Sequence, residues 1–221
     1  MPQYIDLSHT IEDGLVTYKG LPAPIICDYL SREASKGVYA DGVSFQIGKI
    51  EMVANTGTYI DVPFHRYEDG KDLSQFEVEA FANLEAVCIH APFQNGLAVG
   101  VSFFEGKDLE GKAVLVRTDW AQHWNTPQYY ENHSFLTKEA AIFLKEAGVK
   151  LVGIDSHNID DTRCNARPVH SILLKDNVLI AEHLCNLDEL PFDVPFRFFA
   201  VPPKVRGMGT FPVRAFAVLG S

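Results

Sequence analysis

Asn55-Thr56-Gly57-Thr58-Tyr59-Ile60-Asp61-Val62-Pro63-Phe64-His65 is the densest polar stretch of the chain, and it follows the apolar run from Ile50 to Val53 directly. A strand that runs into a polar loop is where a scaffold presents reactive groups. Gly57 permits a turn that a Cβ would obstruct. Pro63 disfavours helix at Val62, so the stretch cannot be one regular helix. Asp61 and His65 stand four apart and meet if the backbone turns. A carboxylate and an imidazole together suit a divalent metal or proton transfer. They equally suit a turn capped by Asp61 with His65 satisfied nearby, and spacing alone leaves both readings open.

Working outward, Val43, Phe45 and Ile47 alternate and the apolar trend continues to Val53, so 43–53 is predicted as strand with a bulge near Gly48-Lys49. Strands are also predicted at Tyr4 to Leu7, Leu84 to His90, Ala113 to Arg117, Lys150 to Ile154, Val178 to Ala181 and Arg214 to Leu219. Thr137 is a plausible N-cap for a helix over Lys138 to Ala147, with Gly148 as its stop. Pro168 suits the first turn of a second helix reaching Leu174. Helices and strands alternate in the second half, while the first half is richer in strand. The class is α/β or α+β with a mixed sheet. No repeat, low-complexity tract or linker interrupts the chain, so residues 1–221 are expected to form one domain.

The apolar share, 47%, excludes a disordered chain. The 19 Lys and Arg against 29 Asp and Glu give a net charge of −10, which argues against a nucleic-acid partner. The four cysteines (27, 88, 164 and 185) match no zinc ribbon and are expected to be reduced, mostly buried thiols. No signal peptide or membrane-length apolar run is visible, and the expected location is the cytoplasm with no membrane partner.

Two further constellations carry chemistry. Asp155, His157, Asp160, Asp161, His170, Glu182 and His183 gather around two predicted strands and a helix. Glu182 ends the apolar run Val178 to Ala181, where it needs a cation, a donor or water. With Asp61, the pair His170 and Glu182 has the hardness that Zn²⁺ or Mn²⁺ accepts. A core histidine and an exposed strand-end glutamate would explain the same pattern. The other constellation, Trp120 to Trp124 with His123 between, follows the strand 113–117. Its tryptophans would wall a substrate pocket or anchor a hydrophobic contact. In the Gly- and Pro-rich loop 202–212, Lys204 and Arg206 would hold a substrate anion or simply stay solvated.

These residues resemble the cyclase family of metal-dependent hydrolases, which includes bacterial kynurenine formamidase and isatin hydrolase. The family's hallmark is H-x-G-T-H-x-D-x-P-x-H, matched by Asn55 to His65. Ile5 to His9, Val152 to Asp155, Ile159-Asp160 and the segment from His170 through Glu182 to Leu187 match in the same order. The resemblance implies a swivelling β/β/α-type fold, a dimer or higher oligomer (here a homodimer or homotetramer), and a small-molecule amide, lactam or lactone substrate. It makes Asp61, His170 and Glu182 metal ligands and His65 the catalytic histidine. Asn55 and Tyr59 replace two hallmark histidines, so one divalent ion is expected, zinc or manganese, with His65, His123 or water in the fourth position. Tyr59 or Asn55 would then donate to the developing oxyanion. Trp120, Trp124 and Arg206 are the expected substrate contacts. The competing reading is a non-catalytic small-molecule binder on the same fold.

Overall fold

The computed structural model describes residues 1–192 and 194–220. The chain forms strands β1 (Gln3–Asp6), β2 (Ile25–Leu30), β3 (Ile47–Glu51), β4 (Tyr59–Asp61), β5 (Leu84–His90), β6 (Ala98–Val99), β7 (Ala113–Arg117), β8 (Phe135–Leu136), β9 (Leu151–Ile154), β10 (Leu179–Glu182), β11 (Phe196–Phe199), β12 (Thr210–Pro212) and β13 (Phe216–Leu219). Its α-helices are α1 (Arg32–Ser35), α2 (Lys138–Glu146) and α3 (Pro168–Lys175).

A nine-stranded sheet organises the molecule in the order β1-β13-β11-β5-β7-β9-β10-β4-β12. Its centre, from β5 through β10, is parallel, and both flanks are antiparallel. The central strands are apolar through their middles, with polar residues at or near their ends, because both faces are covered. Val114 and Val116 face Ala140, Ala141 and Leu144 of α2 and Leu173 and Leu174 of α3. Leu115 and Cys88 face the other way, into a core shared with Leu184, Leu187, Phe198 and Ala217. Each such buried side chain contributes about 1.5–3 kcal/mol.

The class read from sequence, mixed α+β, is the class observed. Thr137 caps α2 through the Ala140 N–H at 3.1 Å, and Pro168 occupies the first turn of α3. Three local expectations are corrected. The strand expected over 43–53 is confined to β3, because the Phe45 N–H is taken by the Ser35 hydroxyl at 2.9 Å and Val43 closes a turn on Ala40. Among the described residues β3 pairs only with β2, in a ribbon separate from the main sheet. The loop expected over 202–212 ends in β12, an edge strand where the missing N–H of Pro212 does no harm. Of the four thiols, Cys88 and Cys185 are buried, whereas Cys27 on the exposed ribbon and Cys164 in a surface loop are exposed.

Candidate metal centre

The sheet register builds the site. β4 lies between β10 and β12, which sets Tyr59 opposite Glu182 and Thr210 opposite Asp61. Asp61 is fully buried. Its Oδ1 accepts from the Thr210 hydroxyl, and that hydroxyl in turn accepts from His65 Nδ1 at 2.8 Å. This leaves Nε2 of His65 with the free lone pair. His65 follows β4 on a single turn over Pro63–His65 that Pro63 initiates. Gly209 passes so close to that turn that a Cβ would fall within the backbone of Phe64 and His65, 2.7 Å from the Phe64 carbonyl carbon. Gly209→Ala is therefore expected to displace His65 and destabilise the chain by about 1–3 kcal/mol. Urea denaturation of the two proteins checks this, and an unchanged midpoint would refute the close approach.

His170 projects from the first turn of α3. Asp160 accepts from the backbone N–H groups of Val169 and His170 at 2.7 and 3.0 Å, and from His170 Nδ1 at 2.7 Å. One carboxylate thus caps the helix and fixes the imidazole tautomer. Nε2 of His170 then faces Asp61 Oδ2 at 3.6 Å and Glu182 Oε1 at 3.8 Å. Burial disfavours the charged ring, but Glu182, Asp160 and Asp61 outweigh it and push the pKa of His170 up to about 10.

Glu182 is 1% exposed, not a solvated strand end. Its Oε1 accepts from the Ile159 N–H at 2.6 Å and its Oε2 from the Tyr59 hydroxyl at 2.7 Å. Burial holds this carboxyl up at about 7 against the pull of His170. Tyr59 is buried, and its phenol is held well above its usual pKa, first by burial and then by the charges of Glu182 and Asp61. It is therefore a phenol and not a phenolate ligand, and its one proton is spent on Glu182. Asn55 hydrogen-bonds the same hydroxyl. Behind it, Tyr129 donates to His183 Nδ1 at 2.8 Å, so Nε2–H of His183 points to Tyr59 at 3.3 Å. His183 is neutral, because burial pushes its pKa well down.

The ligating atoms of Asp61, His65 and His170 all lie within 4.8 Å of one another. Oδ2 of Asp61 is buried without a hydrogen-bond partner among the described residues. An orphaned carboxylate oxygen between two imidazole nitrogens is the position a divalent cation satisfies. Both imidazoles are also held from behind, by Thr210 and Asp160, in the manner of metal-ligating histidines. The donor set fits a single small divalent ion. The two imidazoles and Glu182 open into a cavity of about 280 Å³, whose wall includes Tyr18, Asn55, Arg66, Asn158 and Arg167.

The expected outer contacts fall elsewhere. His123 packs against Phe93 and Trp120, and Trp120 is buried with its indole N–H satisfied by the Tyr129 carbonyl at 3.1 Å. Asp119, in a left-handed conformation (φ 65°), turns this segment back onto Phe93. Trp124 stacks on His9 with ring centroids 3.7 Å apart. Arg206 is exposed on its loop, its charge near Asp72. None of the four lines the cavity. Arg167, which precedes Pro168 and His170 in the sequence, does line it, and Thr210 and Arg66 serve it or line it without a signal of their own. Only sheet register and the turn before α3 bring them in.

The cyclase family model matches residues 5–161, more than half of the chain. The chain belongs to the cyclase family. Among relatives of this cyclase chain, the kynurenine formamidase of Bacillus cytotoxicus is 27% identical over 214 residues, 96% of each chain. Isatin hydrolase A from Labrenzia aggregata, solved with benzyl benzoate, superposes with a TM-score of 0.84 at 21% identity, covering 100% of this chain and 94% of that one. A predicted metal-dependent hydrolase from Bacillus stearothermophilus gives 0.75 at 23% identity, covering 99% and 98%. These superpositions establish that the cyclase fold is shared along the whole chain. Among the described residues, no helix of this cyclase is long and apolar enough to cross a membrane.

His157, beside the centre, is 3% exposed, and its Nδ1 has no partner among the described residues. Burial pushes its pKa down to about 3, aided by His133 and Arg167. The unfolded chain binds a proton here near pH 6.5 and the folded chain does not, so stability falls as pH drops below about 6.5. Asp155 and Glu182, with raised pKa values, act in the opposite direction but are common to wild type and variant. Between pH 7 and 5 the wild type is expected to lose about 2 kcal/mol more stability than His157→Phe. Denaturant titrations at both pH values measure this difference, and parallel losses would refute it.

Proposed function

We propose that the chain is a metal-dependent hydrolase of a small amide, lactam or lactone, acting on carbon–nitrogen bonds other than peptide bonds in the manner of kynurenine formamidase. The observation that carries this reading is the orphaned Oδ2 of Asp61 between His65 and His170. Asp61, His65 and His170 would hold one divalent ion, zinc first and manganese second. Glu182 is the fourth group, at 3.8 Å from His170 and already engaged by Tyr59 and Ile159. When bound, the ion polarises a carbonyl and lowers the pKa of water toward ~7.

The chain's own residues do the rest. Asp160 and Thr210 orient the two imidazoles. Glu182, buried and close to His170, accepts the proton that the attacking water gives up and returns it to the leaving group. Tyr59 steadies the Glu182 carboxylate, and the Asn55 amide is the neutral donor available to the substrate oxygen. His65 thus moves from proton carrier to ligand.

We further propose a cytoplasmic homodimer or homotetramer. Ile25, Ile26, Tyr29, Ile47 and Ile50 are each exposed on the β2–β3 ribbon, divided between its two faces, and Ile26 pairs with Ile50 across the strands as an apolar contact for a second copy. Light scattering that gives a monomer mass at working concentration would remove the assembly. The function is tested by elemental analysis of protein purified without added metal or chelator, followed by assay of N-formyl amides, lactams and lactones. About one equivalent of zinc or manganese with turnover that chelation abolishes is expected. Binding of these compounds without turnover or metal would support the binder instead.

A further inference from the structure

Two guanidinium groups line the same cavity as the candidate centre, those of Arg66 and Arg167. Arg66 donates through Nε to the Ser171 hydroxyl at 3.1 Å and through Nη2 to the Ala166 carbonyl at 3.3 Å. Arg167, in a left-handed conformation just before Pro168, donates through Nη1 to the carbonyls of Asp161 and Cys164 at 2.9 and 2.8 Å. Every one of these acceptors is neutral. Among the described residues, no carboxylate oxygen lies within 4.0 Å of either guanidinium. Arg117, Arg163 and Arg214 each sit on a carboxylate, Asp119, Asp161 and Asp6 respectively.

A guanidinium has five N–H donors, so each of these two retains about three after its bonds to the chain. Those bonds also pin the side chains, so little ordering remains to be done when a ligand arrives. Asn158 and the hydroxyl of Tyr18, which lies against Arg167, add neutral polar groups to the same wall. The walls are thus cationic and hydrogen-bonding, while the floor holds His65, His170 and Glu182, with the buried Asp61 beside His170. At about 280 Å³ the space suits a compound of roughly one ring, too small to bury a nucleotide.

We propose that Arg66 and Arg167 form a carboxylate-binding subsite, so that the compound hydrolysed here carries a carboxylate at the end remote from its scissile bond. The inference rests on the hydrolase reading for the word hydrolysed, but the subsite is testable without it. Arg66 and Arg167 are positioning and specificity residues in this scheme. They hold the anionic end against the wall and leave the carbonyl over the floor.

The experiment compares formamidobenzoates (ortho, meta and para) with the corresponding neutral formamidobenzamides. For the best isomer, the metal-loaded wild type is expected to favour the anion by about 10-fold or more in kcat/KM, the worth of one or two charge-assisted hydrogen bonds. Arg66→Gln should lose that preference through KM, lose far less on the amide than on the anion, and be partly rescued in Arg66→Lys. Arg167→Lys, which keeps the charge but not the fork, should weaken the anion by about 10-fold if the loop stays folded. Equal losses on anion and amide in Arg66→Gln, or a wild type that prefers the amide, would overturn the subsite. Should neither series be turned over, the hydrolase reading fails separately. Calorimetry with benzoate against benzamide then decides the subsite: benzoate bound by wild type and lost in Arg66→Gln supports it, and equal or absent binding overturns it.

Discussion

Asp61→Asn is expected to purify without bound metal and to lose hydrolysis by about 10³-fold or more. The amide keeps the shape of the carboxylate and one oxygen, so the strand pairing of β4 with β10 and β12 has no reason to fail. What it removes is the carboxylate Oδ2 that lies buried without a hydrogen-bond partner, 3.6 Å from Nε2 of His170. A neutral amide in that place offers a far weaker donor to a hard divalent ion. The ion's stabilisation of charge in the transition state is worth several kcal/mol, and each 1.36 kcal/mol is about tenfold in rate. Elemental analysis and kcat/KM on the same preparation make the check. A variant that retains one equivalent of metal would mean that the ligand set is wrong, whatever its activity. A variant that loses the metal and keeps the rate would mean that the metal is not catalytic.

Tyr59→Phe is expected to be the most costly conservative change in the chain outside the ligands. The ring is nearly fully buried, so phenylalanine fills the same space. The loss is the 2.7 Å donation to Oε2 of Glu182, together with the acceptor that His183 uses at 3.3 Å. A buried acceptor robbed of its donor costs about 1–3 kcal/mol, and more when it is charged. We expect about 3 kcal/mol at pH 7 in urea denaturation. Turnover should also fall by about 10- to 100-fold, the usual effect of removing a group that orients a working carboxylate. If Tyr59 instead donates directly to the substrate, stability will hold and kcat alone will drop. That split separates the two roles.

The sequence made some of this architecture legible and hid the rest for identifiable reasons. The parallel centre was readable because β5, β7, β9 and β10 are apolar on both faces and α2 carries a cap at each end. β11 and β12 were not: Arg197 interrupts the apolar run Phe196–Phe199, and Thr210–Pro212 is three residues long and ends in a proline. Their identity as strands comes from their neighbours, β5 and β13 for one and β4 for the other. In the site, the motif positions Asp61, His65, His170 and Glu182 do converge. Their supports are another matter. Thr210 reaches Asp61 from 149 residues away, and no local pattern marks it. The Trp120 to Trp124 segment misled because a strand end looks the same whether the following residues face a cavity or, as Trp120 does, the interior.

Among the described residues, the β2–β3 ribbon shares no ladder hydrogen bonds with the main sheet. A two-stranded ribbon on its own is marginally stable in water. Its opening is therefore independent of global unfolding and belongs at the bottom of the molecule's range of local stabilities. In deuterium exchange, the amides of Ile25–Leu30 and Ile47–Glu51 should label long before those of β7 and β9. Raising the protein concentration should slow that labelling only if another copy covers the ribbon. The same uneven protection bears on handling: a protease would enter first at this ribbon, close to the exposed thiol of Cys27, and leave the parallel centre intact.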